Sequence, residues 1–488
     1  MTFPSRLSVL LFCILGLTAV AQDIPGSTSK TDAPTLRTAS RAQPDNVGLR
    51  LRYTQALLRD SRGETHPDKT AAVAAEIQSE WKACIATNPA AVIPLRAMAR
   101  DAYYARDFDS AIAMGRQALL ADPTDAEMAT IVVKALVRTR KESEAIDVLI
   151  DNFRRQGMPA FAQSQGLISA LVTNTKLREL LDAGLSKLVE ERPKATLIRL
   201  AYAGFLSEVG RYQDAWREFH RAERDGLCDT GSGGRHPFGA VLRDKAAEPE
   251  FPGAFAGVDL AGLEKEASEH PDHCGIAVRL ARRYELPVTE KLEAAALSVV
   301  LDDGQRRAIE KAVAGYGVAL THNPECWPAL FRTGELLLIL DKPAEAATFL
   351  DKAANAFPVY VPAWLDLAVA FARAGDPKRA GEALAAFAAR TDVLKGTTQF
   401  LDASRFSAPE SFKAVADVLA EAAARVPNNA LVPAHLALVR FRAGDVEGAR
   451  AAALLAEKNG LVGRNALPHP ALLEVHGIKV PVAASSDR

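Results

Sequence analysis

This chain of 488 residues has few long apolar runs, almost no net charge and no familiar catalytic motif. No segment after residue 21 is long and apolar enough to cross a bilayer, which takes about 20 residues, so no later membrane span is predicted. The net charge of −1 favours neither nucleic acid nor an anionic membrane as a partner. No Gly-x-Ser-x-Gly elbow, His-Glu-x-x-His motif or Cys–His signature is present, so neither an enzyme nor a cofactor is predicted.

The segment from Met1 to Ala21 has the layout of a secretory signal peptide. Arg6 gives a positive start, Leu7 to Ala21 is apolar, and Ala19-Val20-Ala21 is a small-residue cleavage site. We expect the chain to be exported to the periplasm or the extracellular space. The alternative is that the segment stays uncleaved as a membrane anchor. Residues 22–43 contain little that could be buried and are predicted to be a flexible lead.

Residues 364–387 are predicted to form two short helices joined by a tight turn. Apolar residues recur at i, i+3, i+4 and i+7 in the first half, which defines one helix face. Gly375 ends that helix, and Pro377 suits the first turn of the next one. Small side chains at Ala368 and Ala380 would let the two helix axes approach closely.

The same features return along the chain with a period of about 34 residues. Ala346 precedes Ala380 by one such period, and the prolines that close successive units keep nearly the same interval: Pro89, Pro123, Pro159 and Pro193. The pattern W-x2-L-A-x2-F, with a second alanine twelve positions beyond the first, resembles the tetratricopeptide repeat. The resemblance covers roughly positions 44–461. It implies an all-α, right-handed superhelical solenoid of antiparallel helix pairs, whose first helices line a concave groove.

A Gly/Pro-rich stretch interrupts the repeats and is predicted to be an irregular loop. We expect one insertion of about eleven residues in the first helix pair. A second insertion, of about nineteen residues between Pro271 and Pro324, is expected to form an extra helix. The predicted organisation is a signal peptide (1–21), the flexible lead (22–43), an N-terminal array (44–227), the loop (228–257), a C-terminal array (258–460), and a capping helix with a tail (461–488).

The resemblance also points to candidate binding residues. In the family, the second, fifth, ninth, twelfth and thirteenth positions of each first helix face the groove. In the units that begin at Val92 and Ala126, these positions include four cations and two tyrosines: Arg96, Arg100, Tyr103, Tyr104, Lys134 and Arg138. We expect them to bind an acidic or carboxylate-ended segment, because arginine grips a carboxylate with two parallel hydrogen bonds. The alternative is that they are only the solvated face of a solenoid.

Cysteine and histidine residues lie on both sides of the predicted loop. We expect a disulfide between Cys228 and Cys274, because a Gly/Pro-rich segment with little core of its own gains most from a tether. The histidines of the HPDHC segment (270–274) and His236 match no structural zinc spacing, so no metal site is predicted. The glycines of 230–235 lack the Lys-Ser/Thr ending of a phosphate loop.

The sequence therefore predicts a non-enzymatic, exported scaffold of a bacterial cell envelope that binds a protein or peptide in its groove. One alternative is a metal-dependent protein or enzyme with its site in residues 228–274, which bound zinc would favour. The other is a structural unit that stacks on copies of itself, which a mass that changes with concentration would favour. The fold alone does not name the partner.

Overall fold

In a computed structural model of the protein, the described residues are 32–61, 67–227, 259–292, 301–391, 394–406 and 408–461. They form 22 helices, and this described part of the chain contains no strand. The predicted signal peptide and irregular loop lie outside the described residues. So does the C-terminal cap, apart from Leu461.

The helices form two compact units. The central unit comprises residues 124–363, and the terminal unit combines 32–123 with 364–461. The division of the chain in space therefore differs from the predicted division at residues 228–257. One reason is that the helices on either side of that segment lie in the same unit, where buried Glu223 and Arg279 form an ion pair of 2.9 Å.

The central unit begins with consecutive helix pairs and continues after the undescribed segment 228–258. Its helices are α6 (Ala126–Arg138), α7 (Glu142–Gln156), α8 (Met158–Leu171), α9 (Thr175–Glu191), α10 (Thr196–Glu208), α11 (Tyr212–Arg224), α12 (Leu260–Glu269), α13 (Cys274–Leu292), α14 (Asp303–His322), α15 (Trp327–Ile339) and α16 (Pro343–Ala356).

The terminal unit contains helices from both ends of the described chain. They are α1 (Ala33–Ala42), α2 (Val47–Asp60), α3 (Pro67–Thr87), α4 (Val92–Tyr104), α5 (Phe108–Ala121), α17 (Val361–Arg373, most of which belongs to this unit), α18 (Pro377–Ala388), α19 (Leu394–Ala403), α20 (Pro409–Arg425), α21 (Leu431–Arg442) and α22 (Val446–Lys458).

The pair α17–α18 confirms the predicted repeat unit. Gly375 has a φ of +79°, and the Asp376 side chain caps α18 by accepting a hydrogen bond of 3.1 Å from the Arg379 amide. Ala368 and Ala380 are both completely buried, as is Ala346 one repeat earlier. Alanine is needed at these positions because a larger side chain would push the paired helices apart.

One local prediction was wrong, and a second is tested only in part. Residues 33–42 of the predicted flexible lead form α1, whose first turn is capped by the Asp32 carboxylate. The helix is held because Ala33 packs with Tyr53 and Ala56 of α2. The centre of the second insertion, residues 293–300, lies outside the described residues, so the predicted extra helix stays a prediction. On either side of it, α13 continues through Pro287 to Leu292, and α14 is 20 residues long.

Pro159 lies in a different place from the other prolines of the predicted ladder. Helix α7 ends at Gln156, Gly157 turns the chain with a φ of +61°, and Pro159 falls in the first turn of α8. A proline is tolerated there because the first turn needs no amide hydrogen for a helical bond. The longer interval between Pro123 and Pro159 thus coincides with a short connection between α7 and α8.

In the terminal unit, α2 and the turn after α3 pack against the C-terminal end of α22. The Asn88 amide donates hydrogen bonds of 2.9 Å to the carbonyl oxygens of Asn428 and Asn459. Arg52 of α2 forms an ion pair of 3.1 Å with Glu457 of α22. Gly48 lies so close to Glu457 that a Cβ atom on it would be 2.2 Å from the Glu457 carbonyl oxygen. We call this contact the terminal seam.

Candidate functional site

Four of the six predicted binding residues lie on one face of α4. Arg96 and Tyr103 are half-buried, Arg100 is exposed, and Tyr104 is 77% exposed. Ile93 occupies the second position of the same unit and is 43% exposed, so it extends the face by one turn. These five residues are called the α4 face. Sequence reasoning did not name Ile93, although the position rule that selected the others also selects it.

The opposite side of α4 fixes this orientation. Pro94, Leu95 and Ala99 are buried on the other sides of the helix, which points the α4 face away from the packed interior, and Ala97 is buried at its margin. Tyr103 is held by an edge contact with Tyr104 at 5.6 Å between ring centres. It also lies 5.8 Å from the Phe108 ring at the start of α5. The contacts of Tyr103 with Tyr104 and Phe108 therefore hold an aromatic surface beside the arginines.

The other two predicted residues, Lys134 and Arg138, lie on α6 in the central unit. Lys134 is exposed, and Arg138 follows it one helical turn later. Glu127 at the second position of that helix carries the opposite charge, so the α6 face presents both signs. The structure therefore places the six predicted residues on two helices that belong to two units.

In several other repeats, the first helix of the pair has little exposed surface. Helix α10 buries ten of its 13 residues and α15 nine of 13, whereas α4 buries only four of 13. Helix α21 buries eight of 12. Of the five groove positions of α15, Pro328, Phe331 and Leu338 are buried, and Glu335 and Ile339 are half-buried. A ligand from solution thus finds fewer accessible side chains on these helices than on α4.

Buried ion pairs occupy part of α13 and α15, and sequence reasoning missed them. The completely buried Glu285 carboxylate pairs with Arg282 and, at 3.0 Å, with Arg332. Arg332 also pairs with Glu335 at 2.5 Å. Burial opposes the charge on Arg332, but Glu335 and Glu285 outweigh it and raise its pKa. Each charge is balanced within the fold, so we regard this cluster as structural.

The side chains of the HPDHC segment take part in local structure. Asp272 pairs with Arg224 at 2.9 Å, and His273 Nδ1 accepts a hydrogen bond of 3.3 Å from the Ile276 amide. Burial lowers the pKa of His273 to about 4, with Arg279 acting in the same direction. Cys274 is buried, while Cys228 and His236 lie outside the described residues. The predicted Cys228–Cys274 disulfide therefore remains a prediction.

The described residues contain neither a metal cluster nor a membrane span. Within those ranges no group of three or more His, Cys, Asp or Glu side chains is arranged to hold a metal ion. None of the described helices combines the length and the apolar composition that a membrane crossing requires.

Comparison with known proteins finds likeness at the level of fold only. No protein-family model matches the sequence, and no curated protein matches it significantly. Among solved structures, yeast Tom70 is 11% identical, covering 88% of this chain and 96% of its own, with a TM-score of 0.24. The yeast Sti1 TPR2AB domain in complex with an Hsp90 peptide is 19% identical, with coverage of 64% and 98% and a TM-score of 0.21.

The human IFIT1 dimer with m7Gppp-AAAA is 12% identical, covering 74% of this chain and 88% of its own, with a TM-score of 0.23. Identities and TM-scores this low say nothing about ligands. The protein's own repeats define its class, which is an all-α chain of tetratricopeptide-like helix pairs. Small buried residues such as Ala346 and Ala380 allow the paired helices to pack closely.

Proposed function

We propose that the protein is an exported, non-enzymatic scaffold of a bacterial cell envelope that binds an acidic or carboxylate-ended peptide segment on the α4 face. The observation that carries the proposal is the contrast in exposure between first helices. Ile93, Arg100 and Tyr104 are exposed on α4, whereas at the same positions of α15 Pro328 is buried and Glu335 and Ile339 are half-buried. The secretory layout of residues 1–21 supports export.

The chemistry of the α4 face suits a short anionic peptide. Two arginines one turn apart offer planar guanidinium groups to carboxylates, and Ile93 and the tyrosines offer apolar area on either side. A charge-assisted hydrogen bond that becomes desolvated contributes about 1.5–3 kcal/mol, against about 1 kcal/mol or less for an exposed pair. The apolar residues matter because they exclude water from the arginines when a peptide lies over them.

The test is a binding experiment with synthetic peptides. Short fluorescent peptides rich in Asp and Glu would be prepared with a free or an amidated C-terminus, together with Asn/Gln versions, and titrated by fluorescence anisotropy. The variant is the double substitution Arg96→Ala, Arg100→Ala. The matched control is Arg217→Ala, Arg425→Ala, which removes the same charge at side chains that are 67% and 78% exposed.

We expect the α4 double variant to weaken binding of the acidic peptides by at least about tenfold, since a loss of about 1.4 kcal/mol is a factor of ten. The control should leave the affinity unchanged, and the Asn/Gln peptides should bind poorly to all forms. Equal loss in both double variants would mean that only net charge matters. Unchanged binding in the α4 variant would place the binding surface elsewhere. Lys134→Ala, Arg138→Ala tests the α6 face separately.

A further inference from the structure

Two cysteines that are distant in sequence meet in the central unit. Cys274 is the first residue of α13, and Cys326 immediately precedes α15. Both are 1% exposed. They meet below Gly226, which ends the turn after α11 and has a φ of +108°. The contact therefore joins three elements: the end of α11 and the starts of two first helices.

The position of Gly226 limits how far apart the two sulfurs are. A Cβ atom on Gly226 would lie 2.5 Å from Cys326 Sγ and 2.8 Å from Cys274 Sγ, so the sulfur–sulfur distance cannot exceed the sum of these two values. The Cys326 thiol also donates to the Gly226 carbonyl oxygen at 3.8 Å. The two sulfurs are therefore within reach of one another, and a disulfide requires them to approach to about 2.05 Å.

We propose that Cys274 and Cys326 form a disulfide when the chain folds in an oxidising compartment. The bond would hold α13 and α15 together beside the end of α11. This differs from the Cys228–Cys274 pairing that the sequence predicts. Its occurrence in the cell rests on the proposed export, but the chemistry of the pair does not and can be tested with purified protein.

Oxidation requires a disulfide donor, either oxidised glutathione or the disulfide of an oxidoreductase. The thiolate of one cysteine attacks the donor disulfide, which forms a mixed disulfide and releases one donor thiolate. The thiolate of the other cysteine then attacks the first cysteine's sulfur, which forms the Cys274–Cys326 bond and releases the second donor thiolate. Two electrons pass from the cysteines to the donor, and the two thiol protons pass to the released thiolates.

The environment determines when this reaction can occur. Contact with the Cys274 thiol and burial together raise the pKa of Cys326 well above its usual range. A buried thiol of raised pKa reacts slowly, because the thiolate is the nucleophile. We therefore expect the bond to form during folding and to resist reduction afterwards. If the chain folds fully reduced, both thiols should react slowly with alkylating reagents.

The structure allows a direct test by peptide mapping. The full chain would be unfolded, refolded in glutathione redox buffer, alkylated in denaturant without reduction, and digested with trypsin. Each of the four cysteines after residue 21 falls in its own tryptic peptide: Cys84 in 83–96, Cys228 in 225–235, Cys274 in 266–279 and Cys326 in 312–332. We expect peptide 266–279 to be linked to peptide 312–332, with the buried Cys84 fully alkylated as the internal control.

A link between peptides 225–235 and 266–279, or alkylation of both Cys274 and Cys326, would overturn the proposal. Thermal unfolding gives a second measurement. Oxidised wild-type protein should melt roughly 3–10 °C above the reduced protein, because the bond restricts the unfolded chain. Cys326→Ala should abolish that difference, whereas Cys84→Ala should retain it. If Cys326→Ala does not fold, the peptide map of the wild-type chain still decides the question.

Discussion

Substitution of one glycine tests whether α2 packs against α22 in the terminal unit. Gly48 is the second residue of α2, and the terminal seam brings it against the backbone of Glu457 in α22. In an isolated helix, Gly→Ala is stabilising, by up to about 1 kcal/mol. At Gly48 we expect the opposite sign, because the added methyl group has no space.

The size of the effect follows from the geometry of the seam. The added Cβ would lie 2.2 Å from the Glu457 carbonyl oxygen and 3.0 Å from its carbonyl carbon. Both are backbone atoms, so no side-chain rotation relieves the overlap, and α2 must move away from α22. Overpacking of this kind costs about 1–3 kcal/mol. After subtracting the full gain in helix propensity, Gly48→Ala should still destabilise the protein, by up to about 2 kcal/mol.

The assay is urea unfolding followed by circular dichroism, with Gly317→Ala as the matched control. Gly317 lies inside α14 and has no atom within 4 Å of the position that a Cβ would take, so this substitution should stabilise the protein by up to about 1 kcal/mol. If Gly48→Ala stabilises the protein as much as Gly317→Ala does, α2 does not pack on α22 and the terminal seam does not form.

Two further predictions concern packing and pH. Ala380→Leu should cost roughly 1–3 kcal/mol in unfolding free energy, because Ala380 is completely buried between paired helices; an unchanged melting temperature would refute the repeat register. Burial, the largest cause, lowers the pKa of His273 from 6.5 to about 4, so the unfolded chain binds more protons between these values and stability should fall as the pH drops through that window. His273→Gln should reduce this pH dependence, measured as the change in urea midpoint, and an identical pH profile would contradict the assignment.

The repeat architecture could be predicted because its signals are local in sequence. Gly375, Pro377 and the alanines at 368 and 380 define one helix pair without information from elsewhere in the chain. Helix α1 was missed because polar composition was given more weight than its capping signal. Asp32, followed by a proline at the second helical position, is a typical helix start.

Other features depend on which distant segments meet, and a repeat pattern does not contain that information. The terminal seam pairs Gly48 and Asn88 with residues near the other end of the described chain. The contact between Cys274 and Cys326 depends on how helices stack after the segment 228–258. The sequence placed an insertion between Pro271 and Pro324, but it did not show that α13 continues through Pro287, where a proline is unusual.

The candidate site shows the same limit. The position rule of the family placed four residues on one accessible face of α4: Arg96, Arg100, Tyr103 and Tyr104. In the structure each of them is exposed or half-buried. It could not show that the equivalent face of α15 is less exposed, because that depends on packing between repeats. The contrast that favours α4 is therefore a result of the structure alone.

Site-specific photo-crosslinking tests binding on the α4 face most directly. The photoreactive residue p-benzoylphenylalanine would replace Tyr104 in one protein and Leu120 of α5 in another, since these side chains are 77% and 84% exposed on the two helices of one repeat. Irradiation with a fluorescent acidic peptide should label the protein substituted at Tyr104, and Arg96→Ala, Arg100→Ala should abolish that labelling. Equal labelling from both positions, or labelling from Leu120 alone, would contradict binding on the α4 face.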